Sequence, residues 1–246
     1  MTSPIQKVLS TLSSHNVRSL LIGGQACIFY GGAEFSRDAD IAVLTSADNI
    51  HRLERALVEL QAESIAVPPF AVEYLLRGHA VHFRSAHPDA AGMRIDVIAV
   101  MRGVDSFEAL WERRTTVDVA PGERYEVIGL QDLVRSKKTQ RDKDWPMIRR
   151  LIEAHYVANR QQPTPAQLEF WLMESRTPAM LRDVAAAHAA LLRRLSPARP
   201  FLSALEAMDD GALERALEAE EKKEREADRA YWKPLREELE RLRMAR

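Results

Sequence analysis

Residues 17–44, VRSLLIGGQACIFYGGAEFSRDADIAVL, decide the fold that we expect for this chain. The aliphatic run over 17–22 predicts a strand that stops at Gly23-Gly24, and residues 25–30 can then form a short helix. Residues 38–44 alternate so that successive side chains fall on opposite faces, which is typical of a half-buried strand. The order strand, Gly-Gly, helix, strand therefore indicates a fold that mixes helices and strands.

The pattern outside this stretch continues in the same way. Further strands are predicted at 80–84, 93–100, 115–120 and 124–128, the last two as a hairpin around Pro121-Gly122, and helices at 4–14, after Thr45 or Ser46, at 70–77, 106–113, from 130 and from 144. We expect an α/β fold in which a small, mixed, twisted sheet is flanked by helices. The polar segment 158–165, with two prolines, predicts a boundary between a domain over 1–160 and a helical C-terminal domain over 161–246 that ends in a long charged helix.

Composition excludes several classes of protein. The 246 residues are 46% hydrophobic and 29% charged, as in ordinary globular chains. With 35 basic and 36 acidic side chains, a globally basic nucleic-acid binder is not expected. The single cysteine, Cys27, rules out an intrachain disulfide and a cysteine zinc site, and we expect it in the core. No signal-peptide pattern or long apolar run is present, so the prediction is a cytoplasmic protein without a membrane association.

Three aspartates are the candidate catalytic and metal-binding residues. Asp38 and Asp40 are two apart on a predicted strand, so both carboxylates lie on one face. Their mutual repulsion is relieved if a divalent cation takes both as ligands. Asp96 lies on another predicted strand and joins them if the two strands are neighbours. Three hard oxygen donors suit Mg²⁺ or Mn²⁺ and the chemistry of phosphoryl displacement. The alternative is a set of surface carboxylates at a sheet edge.

A phosphate-binding segment is predicted beside these carboxylates. Gly23 and Gly24, at the end of a strand and before a helix, let backbone N–H groups approach a triphosphate closely. Lys137, on a later helix, can neutralise the negative charge that develops on the leaving group. The alternative is a surface lysine whose ammonium group lies in water. The basic excess over 135–150 fits either a polyphosphate partner or a solvated helix face. The histidines show no ligand spacing and are interpreted as structural or surface residues.

These residues resemble the DNA polymerase beta-like nucleotidyltransferase superfamily, whose pattern is a Gly-Gly or Gly-Ser, a gap, and two acidic residues separated by one hydrophobic. The segments LIGGQACIFYGG (21–32), SRDADIAV (36–43), RIDVIAV (94–100) and LQDLVRSKKTQRDKD (130–144) look more narrowly like the nucleotidyltransferase toxins of bacterial toxin–antitoxin and abortive-infection systems. The resemblance covers about residues 15 to 155. It implies a metal-dependent nucleotidyltransferase with an NTP as one substrate.

The resemblance also implies roles for single residues. Gly23 and Gly24 would bind the triphosphate, Asp38 and Asp40 the metals, and Asp96 would be the third ligand or the base that activates the acceptor hydroxyl. Nucleotide binding is further assigned to Arg37, Lys137 and Arg141, whereas Asp144 has a structural or nucleotide-contacting role. The chain departs from the family at Glu34, where relatives often carry an arginine, and at Gly24, where many members have a serine.

The sequence leaves the acceptor and the activity open. The acceptor hydroxyl can belong to a tRNA end, a protein or a small molecule such as an aminoglycoside, and an antitoxin-like protein is an expected partner. The alternative to an enzyme is a nucleotide-binding or partner-binding module on the same fold that has lost turnover. A purely structural scaffold is the third hypothesis.

Overall fold

A computed structural model describes residues 3–33, 35–120 and 123–245 of the chain. The helices are α1 (Pro4–Ser14), α2 (Gly23–Phe29), α3 (Ala47–Glu59), α4 (Val72–Arg77), α5 (Phe107–Glu112), α6 (Leu130–Ser136), α7 (Asp144–Asn159), α8 (Pro165–Glu174), α9 (Pro178–Ala186), α10 (Ala189–Leu195) and α11 (Asp210–Met244), with short 3-10 helices at Pro88–Ala90 and Pro200–Ala204. The strands are β1 (Ser19–Leu21), β2 (Asp38–Val43), β3 (Ala62–Ser64), β4 (Val81–Ser85), β5 (Arg94–Ile98), β6 (Thr115–Ala120) and β7 (Glu123–Val127).

The strands of the described chain form one seven-stranded mixed sheet in the order β3-β4-β5-β2-β1-β7-β6. Strands β2 and β5 pair in parallel, as do β1 and β7, and the remaining neighbours are antiparallel. This confirms the α/β class with a mixed sheet and flanking helices. The predicted turn at Pro121-Gly122 lies outside the described residues, as does Glu34.

Local sequence explains most of the elements. Helix α1 begins with a capping box, in which the Ser3 side chain accepts a hydrogen bond from the backbone of Gln6 and the Gln6 side chain accepts one from the backbone of Ser3. In β2 the apolar Ala39 and Ile41 are completely buried, as the alternation predicted. Most boundaries differ from the sequence-based prediction by one or a few residues; α2, for example, begins at Gly23 rather than at residue 25. The short strand β3 was not predicted. β3 carries no alternating apolar pattern and exists because its backbone pairs with β4.

The chain divides into two compact units. The first comprises Met1–Phe29, Ala33–Ser136 and Ala230–Arg246 and contains the whole sheet; the second comprises Tyr30–Gly32 and Lys137–Arg229 and is helical. This division differs from the sequence-based boundary at 160 because α7 packs with the helices that follow it and the end of α11 packs with the sheet-bearing unit. The long charged helix that was predicted is α11, of 35 residues, which runs through Pro234 without ending.

Each unit has its own apolar core. In the first unit the sheet supplies Leu20, Ile41, Ile95 and Val97, all completely buried, and Cys27 of α2 is buried as expected. In the second unit the largest fully buried side chain is Trp171 of α8. Burial of these side chains is the main stabilising contribution to each unit.

Candidate active site

The parallel pairing of β2 with β5 brings the three candidate aspartates together. Asp40 lies directly opposite Asp96, and Asp38 lies opposite Arg94. Side chains at paired positions of neighbouring strands stand on the same face of a sheet. We call the face that carries Asp38, Asp40, Arg94 and Asp96 the carboxylate face. The condition under which Asp96 joins the pair, that the two strands are neighbours, is thus met. The catalytic and metal-binding roles of the aspartates stay predictions.

The glycine pair lies against this face at Asp40. Gly23 has a φ of +64°, and a Cβ added to it would stand 2.5 Å from Cγ of Asp40 and closer still to its Oδ2. The backbone N–H of Gly24 donates a hydrogen bond to the same Oδ2 at 3.4 Å. Neither glycine tolerates a side chain, because a Cβ on Gly24 would lie 2.5 Å from Oγ of Ser36. The predicted segment for phosphate binding therefore lies beside the predicted metal-binding strand.

The segment between the glycine pair and β2 is held close to α2 by a hydrogen bond. The side-chain amide of Gln25 donates to the carbonyl of Ser36 at 3.0 Å, and Gln25 is buried. Arg37, assigned to nucleotide binding, is exposed, and its guanidinium lies 5.9 Å from the ring of Phe35, which is itself 72% exposed. The side chains of Phe35 and Arg37 are thus exposed to solvent in the segment that leads into β2.

Asp96 has two partners that sequence reasoning missed. Nε of Arg94 donates to its Oδ1 at 2.7 Å, and Nδ1 of His82 lies 2.8 Å from the same oxygen. Burial favours the neutral acid, but the hydrogen bonds from His82 and Arg94 outweigh it and hold the pKa of Asp96 below its usual value. Sequence analysis interpreted His82 as a structural or surface residue, and its contact with Asp96 was not predicted. The missed signal was alternation: β4 buries Val81 and Phe83, so His82 points to the other face.

Arg94 is a cation of the carboxylate face and lies opposite Arg84 of β4. Its pKa is raised, first by the hydrogen bond to Asp96, against the effect of burial, and further by the charges of Asp96, Asp38 and Asp40. A guanidinium that responds to all three carboxylates offsets their mutual repulsion. Arg94 thus helps to offset the repulsion among the three acidic side chains of this face.

The carboxylate face has the donor chemistry for a divalent cation but is not a finished metal site. Carboxylate oxygens on two neighbouring strands are the hard ligands that Mg²⁺ and Mn²⁺ prefer. Among residues 3–33, 35–120 and 123–245, however, no three His, Cys, Asp or Glu side chains are already arranged as a metal-binding group. Since Asp96 Oδ1 is bound by Arg94 and His82, only its other oxygen is available to an ion without breaking those contacts.

Lys137 and Arg141 belong to the second unit. Nζ of Lys137 lies 3.5 Å from Oδ1 of Asp144, and Arg141 donates from Nε to Oδ2 of Asp144 at 2.8 Å. Asp144 is only 3% exposed and begins α7. The Lys137 side chain is 12% exposed, so it is not a freely solvated surface lysine. Asp144 thus binds both basic side chains, and the assignment of Lys137 and Arg141 to nucleotide binding and the structural or nucleotide-contacting role of Asp144 stay predictions.

The second unit also contains an open cavity of about 460 Å³ whose lining includes Trp145, Arg176 and Arg225. Both arginines are already paired: Arg176 with Glu220 at 2.9 Å and Arg225 with Asp142 at 2.7 Å. Four acidic side chains also line this cavity: Asp142, Glu214, Glu218 and Glu221. Its mixed charge does not favour a polyphosphate, and we place the candidate active site on the carboxylate face.

Sequence comparison with protein-family models and with curated proteins gives no match for this chain. No helix in the described ranges is both long enough and apolar enough to cross a membrane. Function is therefore inferred from the carboxylate face and from the motifs that form it.

Proposed function

We propose that this protein is a metal-dependent nucleotidyltransferase that moves a nucleoside monophosphate from an NTP to an acceptor hydroxyl. The observation that carries the proposal is the contact between the backbone of Gly23 and the carboxylate of Asp40, which stands directly opposite Asp96. A segment without side chains beside paired carboxylates is what transfer from a triphosphate requires. The resemblance of the same motifs to the DNA polymerase beta-like superfamily supports this function.

Gly23 and Gly24 would hold the triphosphate. The backbone N–H groups at this turn are the donors that phosphate oxygens would accept from, and the space that the missing Cβ atoms leave is taken by Asp40 and Ser36. The hydrogen bond from Gly24 to Asp40 is long, at 3.4 Å, so little is lost when the N–H turns to a phosphate oxygen. This arrangement would place the α-phosphorus next to the carboxylates.

In the transfer, an oxygen of the acceptor hydroxyl forms a bond to the α-phosphorus while the bond from that phosphorus to the bridging oxygen of the β-phosphate breaks. Pyrophosphate leaves with the bonding electron pair, and the hydroxyl proton passes to solvent or to a carboxylate. Asp38 and Asp40 would hold the divalent ions, with Asp96 as a third ligand or as the proton acceptor. When bound, Mg²⁺ or Mn²⁺ supplies neutralisation of the charge that develops on the phosphates.

The acceptor is proposed only as a class, namely a hydroxyl of RNA such as a tRNA end, of a protein, or of a small molecule. A toxin-like role with an antitoxin-like partner follows from the narrower resemblance of the motifs. It is part of the proposal and depends on the same resemblance.

The test is transfer of label from [α-³²P]NTPs in the presence of Mg²⁺ or Mn²⁺, with total RNA, protein and aminoglycosides as acceptors. Asp38→Asn and Asp40→Asn keep the side-chain shape but remove the charge that binds a metal. We expect each variant to lower transfer and pyrophosphate release by at least about 100-fold while the fold is retained.

Asp118→Asn is the matched control. Asp118 is also a strand carboxylate, but it lies on the edge strand β6, where it pairs with Arg124 in solvent. This variant is expected to transfer nucleotide like the wild type. Unchanged metal-dependent NTP consumption in Asp38→Asn and Asp40→Asn would show that the proposed mechanism is wrong.

The second candidate function is a nucleotide-binding or partner-binding module without turnover. The pairing of Asp96 Oδ1 with Arg94 and His82 favours it, because these contacts occupy one of the two oxygens of a carboxylate that an active enzyme would use. Calorimetry with Mg²⁺-ATP and Mg²⁺-CTP distinguishes the two functions when it is combined with the transfer assay. Binding without any labelled acceptor supports the module, and binding with transfer supports the enzyme.

A further inference from the structure

The two oxygens of Asp96 are not equivalent in this structure. Both polar partners of the side chain, Arg94 Nε at 2.7 Å and His82 Nδ1 at 2.8 Å, contact Oδ1. Among the described residues, none forms a hydrogen bond with Oδ2. The side chain is 17% exposed, so it is held in a half-buried position and not free in solvent. One oxygen is therefore anchored while the other is left available.

The tautomer of His82 decides which of two contacts its Nδ1 makes as a hydrogen bond. Nδ1 of His82 lies 2.8 Å from Asp96 Oδ1 and 3.0 Å from Nη2 of Arg94. A guanidinium nitrogen only donates and a carboxylate only accepts. With a hydrogen on Nδ1, His82 donates to Oδ1 of Asp96; without one, Nδ1 accepts from Nη2 of Arg94 instead. We assign the first tautomer, because the contact with Oδ1 is the shorter of the two.

The strand register places this donor on a defined side of Asp96. His82 of β4 is the register partner of Asp96 in β5, and Asp40 of β2 is its partner on the other side. The row across the three strands is thus His82, Asp96, Asp40. The donor that anchors Asp96 comes from the strand opposite to the one that carries Asp38 and Asp40.

We propose that His82 is a positioning residue: it holds Asp96 through Oδ1, so that Oδ2 alone faces the reaction as a ligand or proton acceptor. This inference rests on the proposed nucleotidyl transfer and adds a residue that the motifs do not contain. Arg94 holds the same oxygen, but its removal would change the net charge of the carboxylate face. His82 therefore gives the cleaner test.

The test uses three variants at His82 and a direct measurement of Mn²⁺ binding by electron paramagnetic resonance, without nucleotide. In His82→Asn the amide nitrogen takes the place of Nδ1, so the hydrogen bond to Oδ1 is kept. In His82→Gln the nitrogen lies one bond further out, where Nε2 was, and His82→Phe has no donor. We expect Gln and Phe to weaken Mn²⁺ binding by about 10-fold or more, and Asn by no more than about threefold.

Kinetics provide the second readout. If Asp96 is mispositioned, kcat for nucleotidyl transfer should fall in the Gln and Phe variants while KM for the NTP changes little, and Asn should restore most of kcat. His51→Phe, at a histidine of α3 that is 72% exposed, is the control for loss of a histidine elsewhere. Equal thermal stability of the variants would exclude a loss of fold as the cause.

Three results overturn the inference. The first is Mn²⁺ binding and kcat in Gln and Phe that equal the wild type. The second is an Asn variant as impaired as Phe, and the third is tighter Mn²⁺ binding in Phe, which would mean that His82 competes with the ion. Failure of the proposed function looks different: wild-type protein would then neither bind Mn²⁺ nor transfer nucleotide, and both proposals would be wrong.

Discussion

The carboxylate of Asp40 occupies the space where a side chain on Gly23 would begin. The added Cβ would stand 2.5 Å from Cγ and 2.6 Å from Cβ of Asp40, well inside van der Waals contact. The Ile22 N–H also donates to the Asp40 carbonyl at 2.9 Å, so the backbones of the two segments are held together. A methyl group at position 23 cannot be accommodated unless Asp40 moves.

Gly23→Ala is therefore expected to abolish nucleotidyl transfer and to lower the free energy of unfolding by about 3 kcal/mol, from the positive φ and the clash together. Gly92→Ala is the matched control: Gly92 also has a positive φ, +77°, but nothing lies within 4 Å of its added Cβ. That variant should lose only about 1 kcal/mol and keep its activity. Urea denaturation and the transfer assay measure both effects, and equal losses in the two variants would contradict the steric explanation.

Asp132 of α6 is 2% exposed and accepts hydrogen bonds from Nε and Nη2 of Arg113 at 3.0 and 3.1 Å. Arg113→Ala leaves the buried carboxylate of Asp132 without these hydrogen bonds, so we expect a loss of about 3 kcal/mol in the free energy of unfolding. In Asp118→Ala the broken pair with Arg124 is exposed, and the loss should be below about 1 kcal/mol. Chemical denaturation of the two variants tests the difference. Equal destabilisation would show that burial does not determine the contribution of these pairs.

Glu59 should make stability depend on pH. Hydrogen bonds from Lys7 and His15 lower its pKa from 4.5 to about 2, so its contribution is complete above pH 4.5 and is lost as the pH falls toward 2. Because the side chain is 41% exposed, we expect the contribution to be no more than about 1 kcal/mol. Glu59→Gln should thus be less stable than the wild type at neutral pH, and the gap should narrow as the pH falls below 4.5.

Thermal unfolding at about pH 7 and at about pH 3 measures this gap. Glu63→Gln is the control, since Glu63 is an exposed carboxylate of β3. Glu63→Gln should change the thermal stability at neutral pH less than Glu59→Gln does. A Glu59→Gln gap that widens on acidification would mean that the sign of the pKa change is wrong.

Arg199 is the buried cation of the second unit. It is 3% exposed and donates to the carbonyls of Leu172 and Ser175, at 2.7 and 2.9 Å, while its Nη2 also contacts Glu220 at 2.8 Å. Lysine keeps the charge but cannot reach these acceptors together, so Arg199→Lys should lose about 3 kcal/mol in the free energy of unfolding. Arg194→Lys, at a side chain that is 61% exposed, should be close to neutral. A tolerated Arg199→Lys would show that charge alone accounts for the role of Arg199.

Several features could be predicted because they depend on neighbours in sequence. The two-residue period of a strand put Asp38 and Asp40 on one face, and the glycine pair marked the end of β1. The strand β3 could not be predicted in this way, because its three residues have no apolar pattern and its existence depends on a partner 20 residues away. The division into units could not be predicted from the sequence either. The last turns of α11 belong to the same unit as the sheet, whose strands are far from them in the chain.

The sequence by itself determined the α/β class, the strands that carry the aspartates and the face on which each aspartate lies, since local periodicity decides these properties. Only the tertiary structure decided that Asp40 and Asp96 stand side by side, and that His82 and Arg94 share one oxygen of Asp96. Strand order and register depend on how the buried side chains of distant segments fit together, and that fit is a property of the assembled core.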